Sequence, residues 1–446
     1  MSENDAAKAS RSWAQSPGSV RALRADILKG RVSPVALVER YLKRIEAADG
    51  AVQAWRVVDR ERALAVARDR EVEVRREKVR GPLHGIPVAI KDIIDVEGLP
   101  TRANCKARDA IPPATGDAEI VAALKAQGAI VLGKVHTTEF AFFDPSPARN
   151  PHNLAHTPGG SSSGSAAAVA AGMAPIAVGT QTVASVNRPA AYCGIAAFKP
   201  STKSISAYGC TPLGTSYDTP GFYGWAVDDA VAAWEAVAPD FLTHARKSPV
   251  GASLIVTIPE DAHTADASPD MRAAWDRTAE MIAAAGHAVE RVASPIDFKR
   301  LFEIQRSTML YEAGRALAHL LAHPAGQVGA KLTEAIRQGQ AIPERQYLDE
   351  RGEIDRLRAA FFKAFPKTDA FMWPAAPGTA PEGLAWTGDP KYISPWTALG
   401  GPIVTMPSGL AANGLPVGCL LIGRPGSDVR HAAVATKLAG VAERHA

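Results

Sequence analysis

Lys91 closes the run Gly85-Ile86-Pro87-Val88-Ala89-Ile90-Lys91. Two serine-bearing stretches follow it, Gly159-Gly160-Ser161-Ser162-Ser163-Gly164-Ser165 and Gly179-Thr180-Gln181-Thr182-Val183-Ala184-Ser185. A serine hydroxyl is a poor nucleophile at its free pKa, so hydrolysis at serine needs a proton acceptor beside it. A lysine can accept only where burial keeps it neutral. The apolar residues Ile86 to Ile90 read as a buried strand that carries the lysine at its end. Together these residues point to serine hydrolase chemistry with a lysine base. The eleven histidines supply no competing base. His84, His136, His152 and His156 lie near the motifs, but none stands in a Gly-x-Ser-x-Gly or metal pattern, so packing or surface roles are expected for them.

The stretch Gly159 to Ser165 has two rival readings, a phosphate cradle opening a helix and a plain Gly/Ser loop. A phosphate loop ends in Lys-Ser or Lys-Thr and a dinucleotide loop has spaced glycines after a strand; neither is present. Small residues at this density also let the backbone pass close to a substrate.

The elements that must position these residues alternate between helix and strand. Ser33-Pro34 opens a helix continuing to Gly50, with Leu37, Tyr41, Leu42 and Ile45 on one face, and a second helix covers about Arg60 to Glu77. After the Lys91 strand come an Asp117-capped helix ending at Gly128, a strand Ala129 to Leu132, a small-residue helix Ser165 to Ala171, and strands near Ile176 to Val178 and Gly194 to Phe198. Further on, strands at Leu254 to Ile258 and Ala288 to Val292 flank a helix opened by Ser268-Pro269. Helices fill Phe302 to Phe365. Strands Ile403 to Met406 and Val417 to Ile422 turn at Asn413-Gly414, and a helix starts at Asp428. The expected fold is α/β: one large domain, residues 19–446, with a central mixed twisted β-sheet covered on both faces by α-helices, after a flexible tail at residues 1–18.

Composition excludes several classes. The formal charge is only +4 and basic residues alternate with acids, as in Arg60-Glu61-Arg62, so nucleic-acid binding is not expected. The apolar stretch Ala166 to Val178 is interrupted by Gly172 and Pro175 and is too short for a membrane span. Cys105, Cys193, Cys210 and Cys419 lack paired short spacings, which argues against disulfides and a zinc knuckle and fits a reducing cytoplasm. No metal and no cofactor are expected.

Thr157 to Lys199, taken with Lys91, resembles the amidase signature family of serine hydrolases. Weaker likeness extends over about Ser19 to Leu438, through Gly133-Lys134, Arg149-Asn150-Pro151, Gly414-Leu415-Pro416-Val417-Gly418 and Ile422-Gly423-Arg424-Pro425. The resemblance implies that Ser185 is the acylated nucleophile, that Ser161 is a proton bridge held by a non-proline cis peptide, and that Lys91 is the terminal base. It implies an oxyanion hole of backbone N–H groups from Thr182, Val183, Ala184 and Ser185. Gln181 and Arg188 suggest a subgroup resembling malonamide-type amidases, in which the position of Arg188 binds a substrate carboxylate; a buried ion pair is the alternative for that arginine. The chain departs from the family pattern at Val183-Ala184, where Gly-Gly is common, at Asn187, and at Gly224-Trp225, where an arginine is common. A β-branched residue tolerates positive φ badly, so either the turn avoids that region or the hole is altered. Asp92 either orients Lys91 or completes a local network.

The candidate substrate lining is Phe140, Phe142, Phe143 and Asp144, the helices around Met309 to Leu320, and Tyr392 to Pro402 with Trp396, together with Arg188. This apolar, aromatic set favours neutral or aryl amides or carbamates as substrates, with water as the second reactant and the protein acting as a monomer or homodimer. The alternatives are a glutamine-amidase-type subunit of an amidotransferase and a binding homologue with impaired catalysis.

Overall fold

A computed structural model describes residues 12–238 and 250–442. Its frame is an 11-stranded mixed sheet in the order β1-β3-β2-β4-β6-β5-β10-β11-β9-β7-β8. The strands are β1 Trp55–Val58, β2 Pro87–Lys91, β3 Ile130–Val135, β4 Ile176–Gln181, β5 Ala196–Lys199, β6 Thr219–Gly224, β7 Ile255–Glu260, β8 Ala288–Ala293, β9 Ala370–Pro374, β10 Ile403–Leu410 and β11 Pro416–Ile422. β2 pairs in parallel with both β3 and β4, and β7 with β8 and β9, while the strands between these groups pair antiparallel. Strands β2, β4, β5 and β6 are buried at every residue. Such continuous burial requires helices on both faces of the sheet. The expected architecture is therefore the one found.

Local chemistry explains the element boundaries. Ser33 Oγ accepts from Ala36 N at 3.1 Å and Ser268 Oγ accepts from Met271 N at 3.2 Å, each followed by proline in the first turn. Asp117 does not cap a helix. It accepts from Glu97 N at 2.9 Å and pairs with Lys125, and the helix Glu119–Ala126 starts after Ala118 instead. The small-residue helix Ser163–Ala170 is buried throughout. It packs so closely that a Cβ on Gly164 would lie 2.4 Å from Ala54 O and 2.5 Å from His136 N. Strands β1, β6 and β9 are not expected from the sequence.

Residues 1–11 of the expected tail lie outside the described residues. Its remainder is tied to the domain: Trp13 N donates to Pro151 O at 2.7 Å and Gln15 N to Ala170 O at 2.9 Å. Among the described residues no helix is long and apolar enough to cross a membrane.

Candidate active site

Parallel pairing of β2 and β4 brings Lys91 next to the end of β4, which runs on through Gln181 into the turn 182–186. The peptide bond Gly160–Ser161 is cis and turns Ser161 toward the same place. Lys91 Nζ lies 2.8 Å from Ser161 Oγ and 2.9 Å from Thr180 Oγ1. Lys91 is wholly buried, and that burial lowers its pKa to about 7, against an opposing pull from Asp218 and Cys210. Its hydrogen-bond partners are two hydroxyls and, at 3.4 Å, the Thr180 carbonyl, so no carboxylate is paired with it to hold the charged form.

Asp92 does not orient Lys91. Its carboxylate pairs with the buried Lys134 at 3.0 Å, and Lys134 also donates to Thr101 Oγ1 at 3.0 Å. Asp92 thus neutralises the neighbouring buried lysine.

Ser185 keeps 8% of its surface exposed, and its carbonyl is held by Ser162 N at 3.3 Å and Tyr223 Oη at 3.1 Å. None of the residues 182–186 has a positive φ. The turn therefore avoids the left-handed region, and Val183-Ala184 fits without backbone strain. Among the described residues, the N–H groups of Thr182, Val183, Ala184 and Ser185 have no protein acceptor. Four adjacent free donors beside a serine hydroxyl are what a developing oxyanion needs.

The candidate pocket residues are scattered more widely than expected. Phe142 lines a cleft of about 480 Å³ that is also bounded by Phe143, Val183, Phe302, Met309 and Trp386. Phe140 lies instead in the core under the Arg108 guanidinium, 2% exposed. Trp396 is fully buried among Phe298, Phe361, Phe371 and Trp373, so it supports the helix rather than the pocket. Asp144 is spent on backbone N–H groups at the start of the helix Ala330–Ala341, accepting from Leu332 N at 2.8 Å.

Arg188 forms neither the expected ion pair nor an open carboxylate site. Its Nη atoms donate to Gly388 O at 2.6 Å, Gly160 O at 2.8 Å and Thr387 Oγ1 at 3.1 Å. It therefore braces the cis peptide against residues 387–388. The histidines near the motifs hold backbone carbonyls: His84 that of Arg70, His152 that of Cys193 and His156 that of Ala380. Burial lowers the His136 pKa to about 4.

Several cleft residues carry no signal in the sequence. Arg306 and Lys331 face Glu334 and Asp389 around the cleft, leaving two cations balanced by two anions. Trp386 remains 51% exposed. A smaller cavity of about 120 Å³ adjoins the same turn and is lined by Thr180, Thr182, Cys210 and Asp218. Among the described residues no group of three or more His, Cys, Asp or Glu is arranged to hold a metal ion.

A serine-lysine site on this sheet defines a class of amide-cleaving hydrolases, and likeness to known proteins agrees. The amidase family model matches residues 36–431, and the chain belongs to that family. Among its relatives, a glutamyl-tRNA(Gln) amidotransferase subunit of Roseiflexus castenholzii is 31% identical over 89% of this chain and 90% of its own length. The corresponding amidotransferase subunit of Thioalkalivibrio sulfidiphilus is 31% identical, with coverage of 96% and 98%. Among solved structures, the peptide amidase of Stenotrophomonas maltophilia superposes with a TM-score of 0.81 at 28% identity, covering 96% of each chain. Another crystal structure, described as an amidase, gives 0.86 at 30% identity, covering 95% of this chain and 99% of that one. The protein is an amidohydrolase of this family.

Proposed function

We propose that the chain hydrolyses C–N bonds of small neutral or aryl amides or carbamates through an acyl-enzyme on Ser185, with Lys91 as base and Ser161 as proton bridge. The observation that carries this reading is the wholly buried Lys91, with its pKa lowered to about 7, 2.8 Å from Ser161 Oγ. Neutral Lys91 takes the Ser161 proton while Ser161 takes that of Ser185, whose Oγ adds to the substrate carbonyl. The oxyanion forms against the N–H groups of the turn 182–185. Lys91 and Ser161 return the proton to the leaving nitrogen as the C–N bond breaks. Water then attacks the acyl-enzyme by the same relay, releasing the acid and restoring Ser185.

The balanced charge of the 480 Å³ cleft and its aromatic wall favour a neutral, preferably aryl, group. The malonamide-type subgroup keeps support from Gln181 only, because the Nη donors of Arg188 are already on protein oxygens; a substrate carboxylate is not part of the proposal. A cytoplasmic setting fits the four free cysteines, and activity as a monomer or homodimer needs no further protein.

The test is a panel of amides, anilides, esters and carbamates given to the isolated chain, with release of amine or alcohol measured in the absence of ATP or any partner. Turnover of neutral aryl amides or carbamates is expected. The names of the curated relatives favour a second reading, an amidotransferase component that releases ammonia from glutamine for a partner. Glutamine hydrolysis with no turnover of the panel would select it. Absence of fluorophosphonate labelling at Ser185 would instead select an impaired binding homologue.

A further inference from the structure

The turn before Ser185 is held from behind by two chains of side-chain hydrogen bonds, one starting at Gln181 at the end of β4 and the other at Ser394 in the helix Ser394–Leu399. In the first, the Gln181 amide is fixed in orientation because its Oε1 accepts from Val186 N at 2.9 Å and from Asn187 N at 3.0 Å. Its Nε2 must then donate to Thr397 Oγ1, at 2.9 Å. A hydroxyl that accepts there has its single proton free for another partner, and Thr397 Oγ1 lies 2.6 Å from Val183 O. In the second, the Ser394 hydroxyl donates to Gln305 Oε1 at 2.6 Å, and Gln305 Nε2 donates to Thr182 O at 3.1 Å. Gln181, Gln305, Ser394 and Thr397 are all buried, so water does not compete for these bonds.

A trans peptide is planar, with C=O and N–H pointing in opposite directions. The bonds Thr182–Val183 and Val183–Ala184 are trans, since the Gly160–Ser161 bond is the cis one among the described residues. Fixing Thr182 O on Gln305 therefore aims Val183 N–H away from the helix Phe298–Ala316. Fixing Val183 O on Thr397 aims Ala184 N–H away from the helix Ser394–Leu399. These are two of the four N–H groups of the turn without a protein acceptor.

We propose that Gln181-Thr397 and Ser394-Gln305 are paired positioning relays that aim and polarise the Val183 and Ala184 N–H groups as oxyanion donors. Each relay runs in one direction, from donor to donor, so each bond strengthens the next and the final N–H becomes a better donor. A Gly-Gly pair could set such a turn by its own torsions; here side chains from the neighbouring helices hold it with Val183-Ala184 in place. The inference rests on the acyl-enzyme reading above, because it assigns work to the turn only if charge develops on a substrate oxygen there.

The test compares Thr397→Val, Thr397→Ser, Gln305→Met and Gln181→Glu, all checked for folding by circular dichroism, with Ser185→Ala run alongside. Full loss of an oxyanion donor costs about 10²- to 10³-fold in kcat, and a misaimed donor about tenfold to 100-fold. Thr397→Val and Gln305→Met should lower kcat in that smaller range with KM unchanged. Affinity for a trifluoromethyl ketone substrate analogue, which adds to serine as a tetrahedral adduct, should fall in step. Thr397→Ser should restore both. Gln181→Glu should behave like Thr397→Val, because a carboxylate recaptures the Thr397 proton. The pH at which the rate rises should not move in any of them. Folded Thr397→Val and Gln305→Met proteins with wild-type kcat, or a loss of kcat without loss of adduct affinity, would overturn the relays. Retained activity in Ser185→Ala would instead overturn the acyl-enzyme reading.

Discussion

The catalytic floor, whose turn meets the cleft at Val183, and the outer wall of that cleft are built in different ways. The floor takes its groups from β2, β4 and the loops beside them, and its polar atoms meet side chain to side chain, as Lys91 Nζ meets Ser161 Oγ at 2.8 Å. The wall comes from the helix Phe298–Ala316, the helix Ala330–Ala341 and residues near 386–390, and presents aromatic rings and four balanced charges. The floor leaves little room for substitution because Lys91, Ser161 and Thr180 meet at hydrogen-bond distance beside Ser185. The wall is shaped by bulk, and bulk can change without disturbing the chemistry. A rate effect should therefore follow the floor and a selectivity effect the wall.

The largest expected effect tests that division at its base. Ser185→Ala and Lys91→Met should each reduce amide hydrolysis by about 10⁴- to 10⁶-fold, measured as kcat/KM. Lys199 is the control. It is as buried as Lys91 and burial lowers its pKa likewise to about 7, yet it donates to the carbonyl of Pro200 and, among the described residues, hydrogen-bonds to no serine hydroxyl. A folded Lys199→Met protein should keep its amidase activity, which would separate the effect of a neutral lysine from that of its neighbours. Ser161→Ala should cost about 10²- to 10⁴-fold in kcat, the usual worth of a positioned proton carrier. Equal activity in Ser161→Ala would remove the bridge.

The shifted lysine also affects stability. Its pKa in the fold, about 7, lies below the ordinary lysine value of 10.5. Between those two pH values the unfolded chain holds a proton that the folded chain has released, so this group makes stability rise with pH across that window. Lys91→Met removes the penalty. Its thermal midpoint should exceed that of the wild type at pH 7, with the gap closing as pH approaches 10.5. An unchanged gap across that range would mean that Lys91 is not held neutral in the fold. The smallest effects belong to the wall: Trp386→Ala and Phe142→Ala should raise KM for aryl substrates about fivefold with kcat preserved, as expected for loss of about 1 kcal/mol of aromatic contact. A fall in kcat without a change in KM would place those side chains among the groups that act on the transition state.

The same contrast governs how much can be read from the sequence. The floor is legible because its residues lie in short runs whose types carry the chemistry: a lysine ending an apolar strand, and serines amid glycines. The alternating elements carry the fold, although β1, β6 and β9 leave little trace; β6 holds Thr219-Pro220-Gly221, a poor strand signal overridden by its pairing with β4 and β5. The wall is much less legible. Aromatic character does not tell a pocket ring from a core ring, so the sequence groups Trp396 and Phe140 with Phe142 although only Phe142 reaches the cleft. Arg188 reads as a substrate contact through the subgroup resemblance and Asp144 through its place in the loop with Phe140 and Phe142, whereas the Nη atoms of Arg188 and the carboxylate of Asp144 bond to protein groups. Gln305 and Thr397 give no local signal, because their partners in the turn are more than a hundred residues away.

The central claim is that Lys91, neutral above about pH 7, activates Ser185 through Ser161. The most direct test is the rate at which a fluorophosphonate labels the protein, followed by intact-mass measurement from about pH 5 to about pH 9, on either side of the lysine pKa, with the labelled residue located by peptide mapping. Labelling at Ser185, rising through about pH 7 in the wild type and slow at every pH in Lys91→Met, is the predicted result. Labelling elsewhere, or the same rising limb in a folded Lys91→Met protein, would contradict it.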